Sequence, residues 1–221
     1  MIKEAIQNFK RIRKHRKEVT KICEEKFMAL YNHPLYNDDL LAIKEEMKKD
    51  INIYKSIQLF HDLSCYNPKE FIPTMNWYYG KYGKAAIGLA PGNKGYEKHM
   101  KCMSKFLDAK SHHLTTNRHH YESSYIMNRK DVLEMIVDWE AEYGNAQKYY
   151  LERYSDILLD EKTKICIEEE LGLRKFRGPF KYDIYNKDLS KIKHKYNKKQ
   201  FNLLLSYVNK RYNLDLYSIL P

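Results

Sequence analysis

Cysteine is scarce: Cys23, Cys65, Cys102 and Cys166 stand far apart with no C-x-x-C pair, which argues against both a disulfide framework and a thiolate zinc site. Glycine and proline are sparse too, 8 and 6 in 221 residues, where a turn-rich sheet protein needs more of each. No run approaches the ~18 consecutive apolar residues of a membrane span. The first residues, MIKEAIQNFKRIRKHRK, are charged throughout and carry no apolar leader. No register fits the phosphate loop G-x-x-x-x-G-K-[ST]. These absences point to an all-α protein without a membrane partner, expected in the cytoplasm, or in a host's cytoplasm for a viral chain.

What is abundant is charge. Lys and Arg number 40 against 29 Asp and Glu, a formal net charge of +11. That balance suits an anionic partner: a nucleotide, a nucleic acid or a phosphorylated metabolite. The lysines are nevertheless spread over the whole length, and richness in Lys, Asn, Ile and Tyr together is what an AT-biased genome produces. Solvated surface accounts for most of them.

Apolar spacing predicts a helix over 3–31, with Ile6, Phe9, Ile12, Val19, Ile22, Phe27 and Leu30 as its stripe, and Pro34 at or just past its end. Asn37-Asp38-Asp39 offers cap chemistry for a second helix, about 39–63, on Leu40, Ile43, Met47, Ile51, Ile57 and Phe60. A short helix after Asn67-Pro68 carries Phe71, Met75 and Trp77. Residues 80–95 hold five of the eight glycines and read as a mobile loop. Helix resumes near Tyr96. Asn128 caps RKDVLEMIVDWEAEYG, which stops at Gly144, and two helices over 145–158 and 160–171 follow. From Pro179 the composition shifts, with nine Lys and Arg against three Asp over 181–221. The expected organisation is a helical domain over 1–178 and a basic extension over 179–221, packed on the domain or used in association.

The segment SHHLTTNRHHYES places four of nine histidines within nine positions: His112, His113, His119 and His120. His61-Asp62 ends an apolar helix, where burial is costly unless imidazole and carboxylate meet a metal or hydrogen-bond partners. Glu134 and Asp138 lie four apart on a helix that is otherwise apolar, so each needs a strong partner. Asp138 reads as a metal ligand, and Glu134 as a group behind the ligands or beside a reacting water. Imidazoles at His113, His119 and His120 beside His61, Asp62 and Asp138 would supply nitrogen ligands and a general acid. Mixed nitrogen and oxygen ligation suits one or two ions of Mn, Fe, Co, Ni or Zn better than Mg.

The ordered segments HRKEV (15–19), HDLSCYNPKEF (61–71), HLTTNRHHYE (113–122) and EMIVDW (134–139) resemble the HD-domain superfamily of metal-dependent phosphohydrolases, an all-α fold. They are more closely similar to an uncharacterised family of small bacterial and phage proteins. The resemblance covers about 15–145 and implies a helical bundle with a metal site of His15, His61, Asp62 and Asp138. It adds His113, His119 and His120 as further ligands or phosphate contacts. Cys65 stands where the family's pattern has lysine after H-D-x-S, which weakens a phosphate role at that point. His15 sits in a basic run and reads equally as ligand or surface. Arg118 offers a bidentate phosphate clamp, and Lys84 and Lys94 flank the glycine segment, where they can close over an anion.

The resulting expectation is hydrolysis of a phosphomonoester or phosphoanhydride, most readily of a nucleotide. Asp62, Glu134, His119, His120 and Arg118 would be the catalytic group. Two readings compete with it. One is a helical interaction protein with a structural or vestigial site, its basic tail engaging nucleic acid or protein. The other is an oxidoreductase holding two irons.

Overall fold

In the computed structural model, the structure describes residues 2–32 and 41–173. Seven α-helices occur there: α1 (Ile2–Tyr31), α2 (Leu41–Phe60), α3 (Pro68–Tyr79), α4 (Tyr96–Thr116), α5 (Arg129–Tyr143), α6 (Ala146–Arg153) and α7 (Glu161–Glu170). Among the described residues there is no strand, so the protein is all-α, and no helix is long and apolar enough to cross a membrane. Backbone contacts divide the chain into Met1–Asp160 and Glu161–Pro221. This division precedes the compositional shift at Pro179. Of the second unit only 161–173 is described, including α7 with Thr163 and Ile167 buried one turn apart. The basic extension over 179–221 and the Asn37-Asp38-Asp39 cap lie outside the described residues.

In the first unit α1 packs against α2, α3 and α5, and α3 against α4. The buried stripe of α1 is Asn8, Ile12, Val19, Cys23 and Leu30. Ile6 and Phe9, expected in that stripe, are exposed. Ile12, Val19 and Leu30 lie where expected, while Asn8 takes the core position in place of Phe9. Its amide donates to the Phe71 carbonyl at 3.2 Å and accepts from Arg11 Nε at 3.3 Å, which satisfies a buried polar group and ties α1 to α3. His15 falls three residues after Ile12 and four before Val19, on the same inward face.

α2 buries Met47, Ile51, Tyr54 and Ile57. It stops at Phe60, whose ring is exposed, contrary to the core role expected for it. The buried Asp50 carboxylate takes a two-pronged contact from Arg129, at 3.0 and 3.3 Å, which fixes the start of α5 on α2. α3 opens as anticipated with Pro68 in its first turn, and the Asn67 side chain caps it by accepting from the Lys69 amide at 3.0 Å.

The glycine-rich segment is a set of tight turns with a short 3-10 turn at Lys84–Ala86. A Cβ at Gly83 would lie 2.1 Å from the Trp77 carbonyl oxygen, so only glycine lets this turn fold back on the end of α3. α5 is capped as expected, Asn128 Oδ1 accepting from the Asp131 amide at 3.0 Å, and Gly144 ends it in the left-handed region. α6 is shorter than the 145–158 expected. It ends at Arg153, and an irregular stretch follows whose Asp160 amide donates to the Tyr125 carbonyl. The tyrosines pack as amphipathic spacing implies, with Tyr150 buried beside Trp139 and Tyr143 stacked on Tyr149.

Ile57 is fully buried one turn before His61. Ile57→Ala should therefore lower the unfolding free energy by about 2–5 kcal/mol in urea denaturation. A loss below half a unit of that lower bound would show that α2 is not seated in the core as described.

Candidate metal centre

The site begins with the way α2 ends. The His61 amide still donates to the Ile57 carbonyl at 2.9 Å, continuing the helical pattern, but Asp62 adopts φ 52° and ψ 29°. It is the sole non-glycine with positive φ among the described residues. Left-handed backbone costs about 1 kcal/mol or more for an L-residue, least for Asp and Asn. Here it removes the roughly 100° divergence between neighbouring helical side chains. Consequently His61 Nε2 and Asp62 Oδ2 turn toward the same space, 3.5 Å apart, a spacing at which both atoms can reach one cation.

Around Asp62 the side chains form two groups. On the Oδ2 side, His15 from α1, His61 and Asp138 from α5 converge. His15 Nε2 lies 3.0 Å from Asp138 Oδ1 and 3.2 Å from His61 Nε2, and His61 Nε2 lies 3.4 Å from Asp138 Oδ1. On the Oδ1 side stand His113 from the last turn of α4 and His119 from the turn after it, at 3.6 and 3.4 Å. His120 completes that group, its Nε2 3.0 Å from His113 Nε2. Each set offers donor atoms that lie within 4.8 Å of one another and can hold a metal ion.

The chemistry of these donors fits a cation. Asp62 Oδ1 and His119 Nε2 are buried without a hydrogen-bond partner although they face each other. A buried carboxylate oxygen and a ring nitrogen left in that state are costly unless something positive joins them. The lone-pair directions agree. His61 Nδ1 donates to Glu134 Oε1 at 3.1 Å, and His119 Nδ1 approaches the same oxygen at 3.5 Å, so both rings turn Nε2 toward Asp62. Glu134 therefore orients the ligands from behind. That is the first of the two roles its spacing suggested.

A second carboxylate does the same for the other group, and it was not singled out from the sequence. Glu70 on α3 is buried and accepts from His113 Nδ1 at 3.0 Å, His112 Nδ1 at 2.9 Å and Ser64 Oγ at 3.1 Å. Asn117 in turn donates to Ser64 Oγ at 3.0 Å. The signal was present: Ser64, Glu70 and Asn117 all fall within the segments HDLSCYNPKEF and HLTTNRHHYE. Cys65 sits 3.8 Å from His113 Nδ1, and burial and the nearby Asp62 and Glu70 carboxylates push its thiol up, so it stays protonated.

Of the three expected phosphate contacts, Arg118 has a partner of its own. Arg118 is spent on Asp131, Nε to Oδ2 at 3.1 Å, because that carboxylate is buried in the first turn of α5 and needs a cation. The Arg118 side chain is 65% exposed. Lys84 and Lys94 are exposed on the glycine-rich turns.

Electrostatics follow from the crowding. Burial would lower the His61 pKa, but hydrogen bonds to Asp138 and Glu134 and the Asp62 charge outweigh it and raise it to about 10. Asp138 is held well below the usual carboxylate range, since the hydrogen bonds from His15 and His61 overcome its burial. Burial and the neighbouring His119 press His120 down to about 3, which keeps that ring neutral and available as a donor.

The family model described as "Family of unknown function (DUF5662)" matches residues 4–172, and the chain belongs to that family. No curated protein and no solved structure matches it.

A cation entering the centre must displace the proton that His61 holds up to about 10. Affinity for Co²⁺ or Mn²⁺ should thus strengthen as pH rises from neutrality toward that value, with protons released on binding. Calorimetry in two buffers of different ionisation enthalpy measures both. Binding without proton release would contradict the arrangement.

Proposed function

We propose that this member of a family of unknown function is a metal-dependent phosphohydrolase of the HD type, using a pair of divalent transition ions to cleave a phosphomonoester or phosphoanhydride of a nucleotide. One observation carries the reading: Asp62 offers its two oxygens to two separate imidazole-rich groups, with Oδ1 and His119 Nε2 left without hydrogen bonds between them. His15, His61, Asp62 and Asp138 would hold one ion, and Asp62, His113, His119 and His120 the other. The H-D pair joined to an upstream His and a downstream Asp is the arrangement that the sequence segments resemble.

When bound, such ions lower the pKa of coordinated water toward neutrality and polarise a phosphoryl oxygen. The protein's own residues prepare this. Glu134 and Glu70 hold protons on the Nδ1 atoms of His61 and His113, which keeps their Nε2 atoms facing inward. Because Glu134 is occupied with ring nitrogens, proton transfer to the leaving group falls to an imidazole. His112 suits it, being tied through Nδ1 to Glu70, which also holds His113, and half exposed to solvent. The nucleotide preference rests on analogy with the superfamily.

The purified full-length chain is expected to carry Mn, Fe, Co, Ni or Zn by elemental mass spectrometry and to release phosphate from members of a nucleotide panel. Asp62→Asn keeps a residue that tolerates the left-handed turn. It should abolish release and reduce bound metal while leaving the helical circular dichroism unchanged. Undiminished release by this variant rejects the proposal. An oxygen-dependent optical change of an iron-loaded protein without phosphate release would put oxidation in its place, and a metal-free inert chain would favour an interaction protein.

Glu134→Gln should weaken metal binding by about 10–100-fold, the usual consequence of removing a group that orients a ligating histidine. Competition against a fluorescent chelator reads it out, and an unchanged affinity would deny Glu134 that role.

A further inference from the structure

Between α3 and α4 lies a cleft of about 420 Å³ that neither donor group uses. α4 contributes Lys98, Lys101 and Lys105, spaced so that all three share one helix face with Cys102, and the glycine-rich turn adds Lys81 opposite. No carboxylate lines the cleft. None of the four lysines forms an ion pair among the described residues, so four cationic side chains line one cleft that has no carboxylate in its walls. Lys81 and Lys98 both lie against the Tyr82 ring, 5.6 and 5.3 Å from its centroid. The opposite wall is apolar: Pro68, Ile72 and Pro73 of α3.

Four lysines along one cleft, beside an apolar and aromatic wall, suit a ligand with several negative charges at one end and an organic body at the other. We infer that the α3–α4 cleft is a binding site for a nucleoside polyphosphate, its phosphates on Lys81, Lys98, Lys101 and Lys105 and its base and sugar against Ile72, Pro73 and Tyr82. The cleft is built to receive it. Gly80 and Gly83 let the turn bearing Lys81 fold onto α3, as a Cβ at Gly80 would lie 2.5 Å from the Asn76 carbonyl oxygen. The lysine face of α4 also continues, two turns beyond Lys105, to His112 on Glu70, a separation of roughly 10 Å along the helix. The site stands independently of the hydrolytic reading, since its phosphate contacts owe nothing to Asp62 or the histidines.

Cys102 lines the cleft and reports its occupancy. In the full-length protein, alkylation of Cys102 by N-ethylmaleimide, followed by peptide mass spectrometry, should be slowed by inorganic tripolyphosphate. The methylene analogue of adenosine triphosphate, which resists hydrolysis, should act at lower concentration. Adenosine alone should protect least. Lys101→Ala with Lys105→Ala, both exposed and outside the metal centre, should raise the concentration for half-protection by about tenfold or more. Added salt should act in the same direction. The inference is overturned if neither triphosphate protects Cys102, or if protection is undiminished in the double variant, which would put the anion on the metal centre instead. Equal potency of tripolyphosphate and the nucleotide analogue would overturn the assignment of the organic body to Ile72, Pro73 and Tyr82. Metal content and phosphate release, measured on the same double variant, report the other site separately.

Discussion

The left-handed turn at Asp62 is the constraint on which the centre depends. Were α2 to continue regularly through Asp62, its carboxylate would point about 100° away from the His61 ring, and the two donor groups would have no common member. The turn instead places one buried carboxylate between imidazoles on both sides. Isolated, such a charge is expensive to bury. Surrounded by His61, His113 and His119, it is kept ionised in the folded chain and drawn well below its ordinary range despite burial. The same crowding makes the cluster demanding. Without a cation its rings must share protons, as the raised His61 shows.

The donors arrive on four different elements, so the surrounding fold is largely a device for holding them in register. α1 brings His15, the end of α2 brings His61 and Asp62, α4 and its following turn bring the remaining imidazoles, and α5 brings Glu134 and Asp138. The joints between these helices are polar and specific. Asn8 fastens α1 to α3, Arg16 reaches the Leu59 carbonyl at the end of α2 at 2.9 Å, and Arg129 clasps Asp50. Such contacts add less free energy than apolar burial does, yet they fix rotation about a helix axis in a way that apolar packing cannot. A ligand set drawn from four elements needs that rotational control.

Much of this was legible in the sequence, and the exceptions have physical causes. Helix order, the caps at Asn67 and Asn128 and the stop at Gly144 could be read because each depends on a few adjacent residues. His15 looked ambiguous within its basic run, but the register Ile12, His15, Val19 places it inward. A charged neighbourhood in sequence says little about one face of a helix. Asn8 displaced Phe9 from the core because a satisfied amide joint set the rotation of α1, and no periodicity of apolar residues records that. The left-handed Asp62 could not be read at all, since Asp is common at ordinary helix ends. Arg118 was misplaced for a related reason. Its buried partner Asp131 is thirteen positions away across a turn, and local sequence shows only a polar arginine beside histidines.

The two donor groups are chemically unequal, and that inequality bears on how they would work under the hydrolytic proposal. One side has two imidazoles and two carboxylates, Asp62 and Asp138, both held ionised. Two negative charges compensate most of a divalent ion's charge and favour tight retention. The other side has three imidazoles and only the shared carboxylate, with His120 kept neutral. An ion there would keep more of its positive charge. It would be the more easily lost, and also the stronger partner for an anionic oxygen. Under that proposal, a retained ion beside a more electrophilic one would separate structural holding from the polarisation of a substrate. The sequence already hints at this division, since the carboxylates cluster on apolar helices and the histidines on a polar turn.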